Sequence, residues 1–246
     1  MDNLLYVAMT GAKNVLLAQN TNANNLANAN TFGFKADLDY FDSEAVYGPG
    51  HPTRAYAEDA RAGFNDEAGS LIQTGRPLDI GVGGQGWIGV QADDGSVAYT
   101  RRGDLRIDAT GIVLNGEGRI VLGNGGPITI PPNESLVVGR DGSISIRPLG
   151  GGANELATID RILLVNPPAA EMYKGTDGLF RLKNGEEAEP DAFVQVTSGA
   201  IEASNVNAVE ALVNMIEYGR SFETQVRMFR VAEDMDSQSS RLMSLS

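Results

Sequence analysis

Residues 208–229 read AVEALVNMIEYGRSFETQVRMF, and their small and apolar members fall at Ala208, Leu212, Met215, Gly219, Phe222, Val226 and Phe229. Steps of three and four between them draw one stripe along a helix. A stripe with that spacing is a heptad seam, and it needs a partner surface. Ile216 lies beside it, and beyond Phe229 the apolar positions drift through Met228, Ala232, Met235 and Leu242. Ser204, Asn205 and Asn207 are good N-cap residues, with Glu210 three places beyond Asn207 in the capping-box position. No proline follows. The stretch predicts a long C-terminal helix with one face to bury.

At the other end, Leu5, Ala8, Ala12, Val15, Gln19, Asn22 and Leu26 also step by three and four, which predicts a second helix over about residues 3–28. At ~1.5 Å per residue the two helices would be about 40 and about 60 Å long. A compact domain of this size cannot wrap either, so the seams pack against each other as a hairpin, against copies in neighbouring subunits, or both. Six asparagines stand between Asn20 and Asn30, among them Asn22, Asn25 and Asn28. Asparagine is a poor helix former, but its amide both donates and accepts, which suits a hydrogen-bonded contact that fixes register. The other reading is a frayed helix end running into a turn at Gly33.

Between these ends the chain reads as β structure. Short alternating runs such as Trp87–Gln91, Val97–Thr100, Arg119–Leu122, Leu136–Val138 and Ile144–Ile146 are separated by Asp94-Gly95, Asn115-Gly116, Asn124-Gly125 and Asp141-Gly142. Such pairs between apolar runs are hairpin signals. The fold expected is α+β: long N- and C-terminal helices forming a coiled-coil-like domain, with a central, mainly β domain resembling a barrel or sandwich. The expected boundaries are residues 1–35 with 199–246 for the helical domain, 36–77 for an extended or β-hairpin connection around Gly48-Pro49-Gly50-His51-Pro52, and 78–198 for the β domain. Residues 183–190 read as an exposed charged loop before a return strand at Phe193–Val196.

The 246 residues carry 32 acidic and 19 basic side chains, a formal charge of -13. With no cluster of Lys and Arg, this argues against nucleic acid or anionic lipid as a partner. There is no cysteine and a single histidine, His51, so disulfides and thiolate metal sites are excluded. No secretory signal is expected at the N-terminus, where Asp2 replaces a basic region, and no apolar run is long enough to span a membrane. The expected location is the cytoplasm, or outside it by a route that cleaves no peptide.

Candidate chemistry is sparse. Gly81, Gly83 and Gly86 satisfy G-x-G-x-x-G, but a dinucleotide loop must open a helix, whereas Trp87–Gln91 alternates like a strand. These glycines fit a tight β turn. His51 sits in a Gly-Pro loop with no nucleophile signature nearby, and the acidic residues near Asp93 and Asp191 lack EF-hand spacing. No catalytic residue, cofactor site or metal site is expected.

Residues 23–35, ANNLANANTFGFK, resemble the N-terminal signature of bacterial flagellar rod and hook proteins. Further matches follow in order at Thr74–Ile80, Gly86-Trp87, Tyr99–Asp104, Gly199–Asn207, Met215-Ile216 and Arg220–Glu223, so the resemblance spans nearly the whole chain. Trp87-Ile88 and Gly219 depart from common family residues at those places. Within the family the length and the stretch Tyr47–Tyr56 are most like a proximal-rod subunit, with distal-rod and hook subunits as near neighbours. The resemblance implies a structural, non-enzymatic subunit of the shaft that transmits motor torque. It also implies packing against other rod subunits and copies of itself, a place in the basal body within the periplasm, and export by the flagellar type III apparatus without a cleaved peptide. The subunit-contact residues expected are Leu5, Ala8, Ala12, Val15, Asn22, Asn25, Leu26, Asn28, Leu212, Met215, Ile216, Gly219, Phe222, Val226, Phe229, Met235 and Leu242. A reading from another class is a β ligand-binding protein or enzyme with a helical hairpin.

Overall fold

A computed structural model describes residues 4–45, 55–150 and 156–244, with side chains described within 8–39, 63–150 and 156–235. His51 and most of the stretch Tyr47–Tyr56 lie outside the described residues, as do the side chains of Leu5 and Leu242. The chain divides into two compact units: a helical unit of residues 1–29, 37–63 and 206–246, and a β unit of residues 30–36 and 64–205.

In the helical unit, helix α1 runs Leu4–Ala27 and helix α2 runs Ala208–Ser244. Asn207 caps α2 as its position predicts: its Oδ1 accepts from the amides of Val209 at 3.1 Å and Glu210 at 3.3 Å, satisfying two donors that the helix start leaves open. The helices are antiparallel, because Asn22 lies at Ala211 while Gly11 lies at Gln225. Their mutual face is built from small and polar groups. Ala8, Asn14, Ala18 and Asn22 are buried on α1, and Ala211 and Ala232 on α2. Small side chains let the two backbones approach closely. Strands Asp37–Ala45 and Ala55–Phe64 form a two-stranded sheet in the same unit.

The β unit centres on an antiparallel sheet of nine strands. Its main path runs Met172–Lys174, Phe180–Leu182, Val97–Thr100, Trp87–Gln91, Ile120–Gly123, Val113–Leu114 and Arg106–Ile107, with Gly126–Pro127 and Leu164–Val165 added at its sides. A separate three-stranded sheet joins Asn133–Val138, Ser143–Pro148 and Ala157–Arg161. The β content agrees with the alternating runs, but among the described residues no sheet closes into a barrel: the nine-stranded path ends at two different strands, and the three-stranded sheet stands apart. The return strand also starts later than expected, at Gln195, leaving Phe193 outside it.

The turns have a shared chemistry. Asp94, Asp108 and Asp141 each accept at Oδ1 from the hydroxyl and the amide two residues on, at Ser96, Thr110 and Ser143. Those hydroxyl bonds hold the three carboxyls below their ordinary pKa, and bonding to Arg181 does the same for Asp177.

Candidate functional site: two helix faces and a buried ionic clasp

Within the β unit, three charged side chains meet out of contact with water: Lys35, Glu202 and Arg101, at 0 %, 1 % and 2 % exposure. Lys35 Nζ donates to Glu202 Oε1 at 2.8 Å and Arg101 to Oε2 at 2.9 Å, so one carboxylate bridges two cations. The surplus positive charge is met by main-chain oxygens. Lys35 also donates to the Glu67 carbonyl at 2.6 Å, and Arg101 to the Gly84 carbonyl at 2.7 Å. The Arg101 guanidinium lies 5.4 Å from the centre of the Trp87 ring, a cation–π contact. Burial pushes the Lys35 ammonium below its ordinary pKa, opposed by its bond to Glu202.

Main-chain bonds extend this clasp. Gly69 donates to Glu202 Oε1 at 2.8 Å and Gly33 to the Glu202 carbonyl at 2.8 Å. Gly33 has φ +67°, and the Arg101 main chain fills the space a Cβ would take, so only glycine fits. Asn205 accepts from the Ala36 amide at 2.8 Å and donates to the carbonyls of Asn65 and Glu67, both at 3.0 Å. Lys174 reaches the Lys35 carbonyl at 3.0 Å and sits 3.8 Å from the centre of the Phe34 ring. The segments so tied, around residues 33–36, 64–69 and 202–205, are those by which the chain enters and leaves the β unit.

The helical unit supplies the other part. Asn22 donates to the Ala211 carbonyl at 2.7 Å and thereby sets the register of α1 on α2. Asn25 exchanges two bonds with the main chain of Asp37, at 2.9 and 2.8 Å, and Asn28 turns back onto Asn24. Of the sequence-derived contact residues, Ala8 and Asn22 are buried. Ala12, Val15, Asn25, Leu26, Asn28, Met215, Gly219, Phe222, Val226 and Phe229 are half-buried, while Leu212, Ile216 and Met235 are exposed. Two apolar patches remain uncovered on α2: Val209, Leu212, Val213 and Ile216, then Met228, Val231 and Met235. Ile216, 59 % exposed, stands about 140° round the helix from buried Ala211, at ~100° per residue. On α1, Met9 and Leu16 are exposed one heptad apart.

Sequence reasoning singled out Lys35, Arg101 and Glu202 only inside longer family motifs and did not foresee that they meet. Among the described residues no cluster of three or more acidic or histidine side chains could hold a metal ion, and no helix is long and apolar enough to cross a membrane. Of the three glycines expected in a tight turn, Gly81 and Gly83 lie instead in the strand Ile80–Gly83, which pairs with Gln195–Ser198, and Gly86 stands just before the strand Trp87–Gln91, where Val194 packs in the place of a Gly86 Cβ.

Two long helices with uncovered apolar faces, and a β unit that pins its own entry and exit segments with a buried clasp, are features of a subunit that assembles. The comparisons agree. Residues 5–35 match the family described as Flagella basal body rod protein, residues 81–146 the Flagellar hook protein FlgE/F/G D1 domain, and residues 197–242 the Flagellar basal body rod FlgEFG protein C-terminal. The flagellar basal-body rod protein FlgF of Escherichia coli (strain K12) is 37 % identical over 252 residues, covering 100 % of both chains. That of Salmonella typhimurium is 36 % identical with the same coverage. The rod protein FlgG of Bacillus subtilis is more distant, at 28 % identity over 94 % of this chain and 95 % of its own. This chain belongs to the flagellar rod and hook protein family, and within it to the FlgF group of basal-body rod proteins.

Proposed function

We propose that this rod protein is a load-bearing, non-enzymatic subunit of the proximal shaft, and that its two helices associate in coiled-coil fashion with those of neighbouring rod subunits, including copies of itself. The observation that carries this reading is the exposed apolar surface of α2 at Val209, Leu212, Val213 and Ile216. A monomer gains nothing by leaving such a surface in water, whereas its burial contributes about 25 cal/mol per Å² of apolar area covered. Leu212, Ile216 and Met235 head the contact, and the half-buried seam residues from Ala12 to Leu26 and from Met215 to Phe229 line its edges.

The clasp supports the mechanical part of the reading. Torque carried by the helices reaches the β unit along the segments that Lys35, Glu202 and Asn205 tie down, so load is shared among several bonds rather than borne by one strand. A subunit of this kind lies in the periplasmic part of the basal body and reaches it through the flagellar type III export apparatus, as membership of the family implies. The FlgF relatives favour the proximal rod over a distal-rod or hook position.

Substituting Ile216→Asp tests the central element. The variant protein keeps its β unit folded, reported by the fluorescence of Trp87, yet is absent from purified basal bodies, and its cells do not swim. Normal incorporation of Ile216→Asp would show that this face of α2 makes no subunit contact.

A further inference from the structure

We propose that the β unit carries both halves of a head-to-tail contact with a second copy of this chain, in which Phe193 of one copy enters the cleft beside Phe32 and Ile201 of the next; this deepens the rod reading above and rests on it. Phe193 is 92 % exposed in a unit that buries Trp87, Tyr99 and Phe180. Its main chain is nevertheless held. The Phe193 amide donates to Asp191 Oδ1 at 2.8 Å, the Asp191 amide donates to the Leu164 carbonyl at 2.8 Å, and the next residue, Val194, is buried against Gly86. The ring therefore projects from a fixed base, as an interface anchor does, and ordering costs on binding are small.

Elsewhere on the same unit lies a cleft of about 450 Å³ lined by Phe32, Thr74 and Ile201 and by four charged side chains, Arg76, Arg106, Asp79 and Asp104. It has room for a phenyl ring, which Phe32 can meet edge to face and a guanidinium can cover. Charge decides which surface fits it. The loop leading to Phe193 carries Glu186, Glu187 and Glu189 on its exposed surface, with Asp191 at its end. In the cleft, Asp79 is engaged by Arg76 at 2.8 Å and Asp104 by Arg102 at 2.7 Å, while among the described residues no carboxylate pairs with exposed Arg106. An acidic loop ending in an aromatic side chain complements a cleft that offers Phe32 and Ile201 to the ring and an open arginine to the acidic groups. Anchor and cleft are different patches of one surface, so the contact does not close on itself as a two-fold dimer. Repeated, it generates a ring or a helix, the symmetry that a tubular shaft requires.

The chain has no native cysteine, which allows a direct test. Two differently tagged full-length chains, one bearing Ala192→Cys beside the retained Phe193 and the other Thr74→Cys, are expressed together and oxidised in purified basal bodies. Both sites are exposed, so neither substitution disturbs a core. The expected product is a disulfide dimer carrying both tags. Adding Arg106→Glu to the Thr74→Cys chain lowers its yield about threefold, and Glu189→Arg on the partner restores it, in line with a surface ion pair. If the chains are present in basal bodies but yield only same-tag dimers, links to another rod protein, or no link, the contact is overturned and the rod reading stands. If the tagged chain without these substitutions is missing from basal bodies, the rod reading falls and the contact with it.

Discussion

In the β unit Ile80, Ile88, Val121 and Ile144 are fully buried, and the three charges of the clasp are buried with them. Along α2 the described side chains that are buried are Ala211 and Ala232, whereas Val209, Leu212, Val213, Ile216, Val231 and Met235 face outward. The β unit thus places most of its large apolar side chains in its own interior, with Phe193, Leu149 and Leu156 among those left outside. The helical unit spends small ones on its internal seam and leaves the large ones at the surface. Where a chain puts its largest apolar groups shows which part folds on its own account and which part relies on neighbours.

The largest effect that would sharpen this contrast comes from Glu202→Ala. It leaves Lys35 and Arg101 buried without their shared carboxylate, and breaking a buried pair costs about 3–5 kcal/mol. Urea denaturation followed by the fluorescence of Trp87, the sole tryptophan, should show that loss in the β unit. An effect below about 1 kcal/mol would mean that water reaches the clasp. Asn22→Ala should cost less, about 1 kcal/mol, because it removes a single bond to the Ala211 carbonyl. The loss should appear in helix content by circular dichroism and not in Trp87 fluorescence. Were both probes to shift together, the two units would not be separable in stability.

The smallest effect concerns acid. The carboxyls of Asp94, Asp108, Asp141 and Asp177 have folded pKa values below the ordinary 3.8. Because the folded value is the lower one, their contribution is present above pH 3.8 and fades as pH falls through the folded values. Asp108→Asn should flatten the pH dependence of β-unit stability in that acid window and leave it unchanged near neutrality. A change confined to neutral pH would contradict the turn-based account.

Much of this was legible in the sequence because it is local. Asn207 with Glu210 marks the start of α2, three- and four-residue steps mark both helices, and Asp94-Gly95 and Asp141-Gly142 mark turns that the structure contains. What was not legible is long-range. Lys35 and Glu202 are 167 positions apart and Arg101 and Glu202 are 101 apart, so no spacing along the chain encodes their meeting. The inward face of α2 was hidden for a different reason. Its apolar residues occupy more than one stripe, and periodicity alone could not tell that Ala211 turns toward α1 while Leu212 and Ile216 turn away. The same alternation misled at Phe193-Val194, where the expected strand begins two residues late and the smaller side chain goes inward.

Hydrogen exchange of the isolated full-length protein, read residue by residue, tests the contrast most directly. The account predicts slow exchange in the strands Trp87–Gln91, Val97–Thr100 and Ile120–Gly123 and fast exchange along α2 from Val213 to Met235, where partners are missing. Protection of α2 equal to that of these strands in the free protein would contradict it, because the helices would then need no neighbour to be stable.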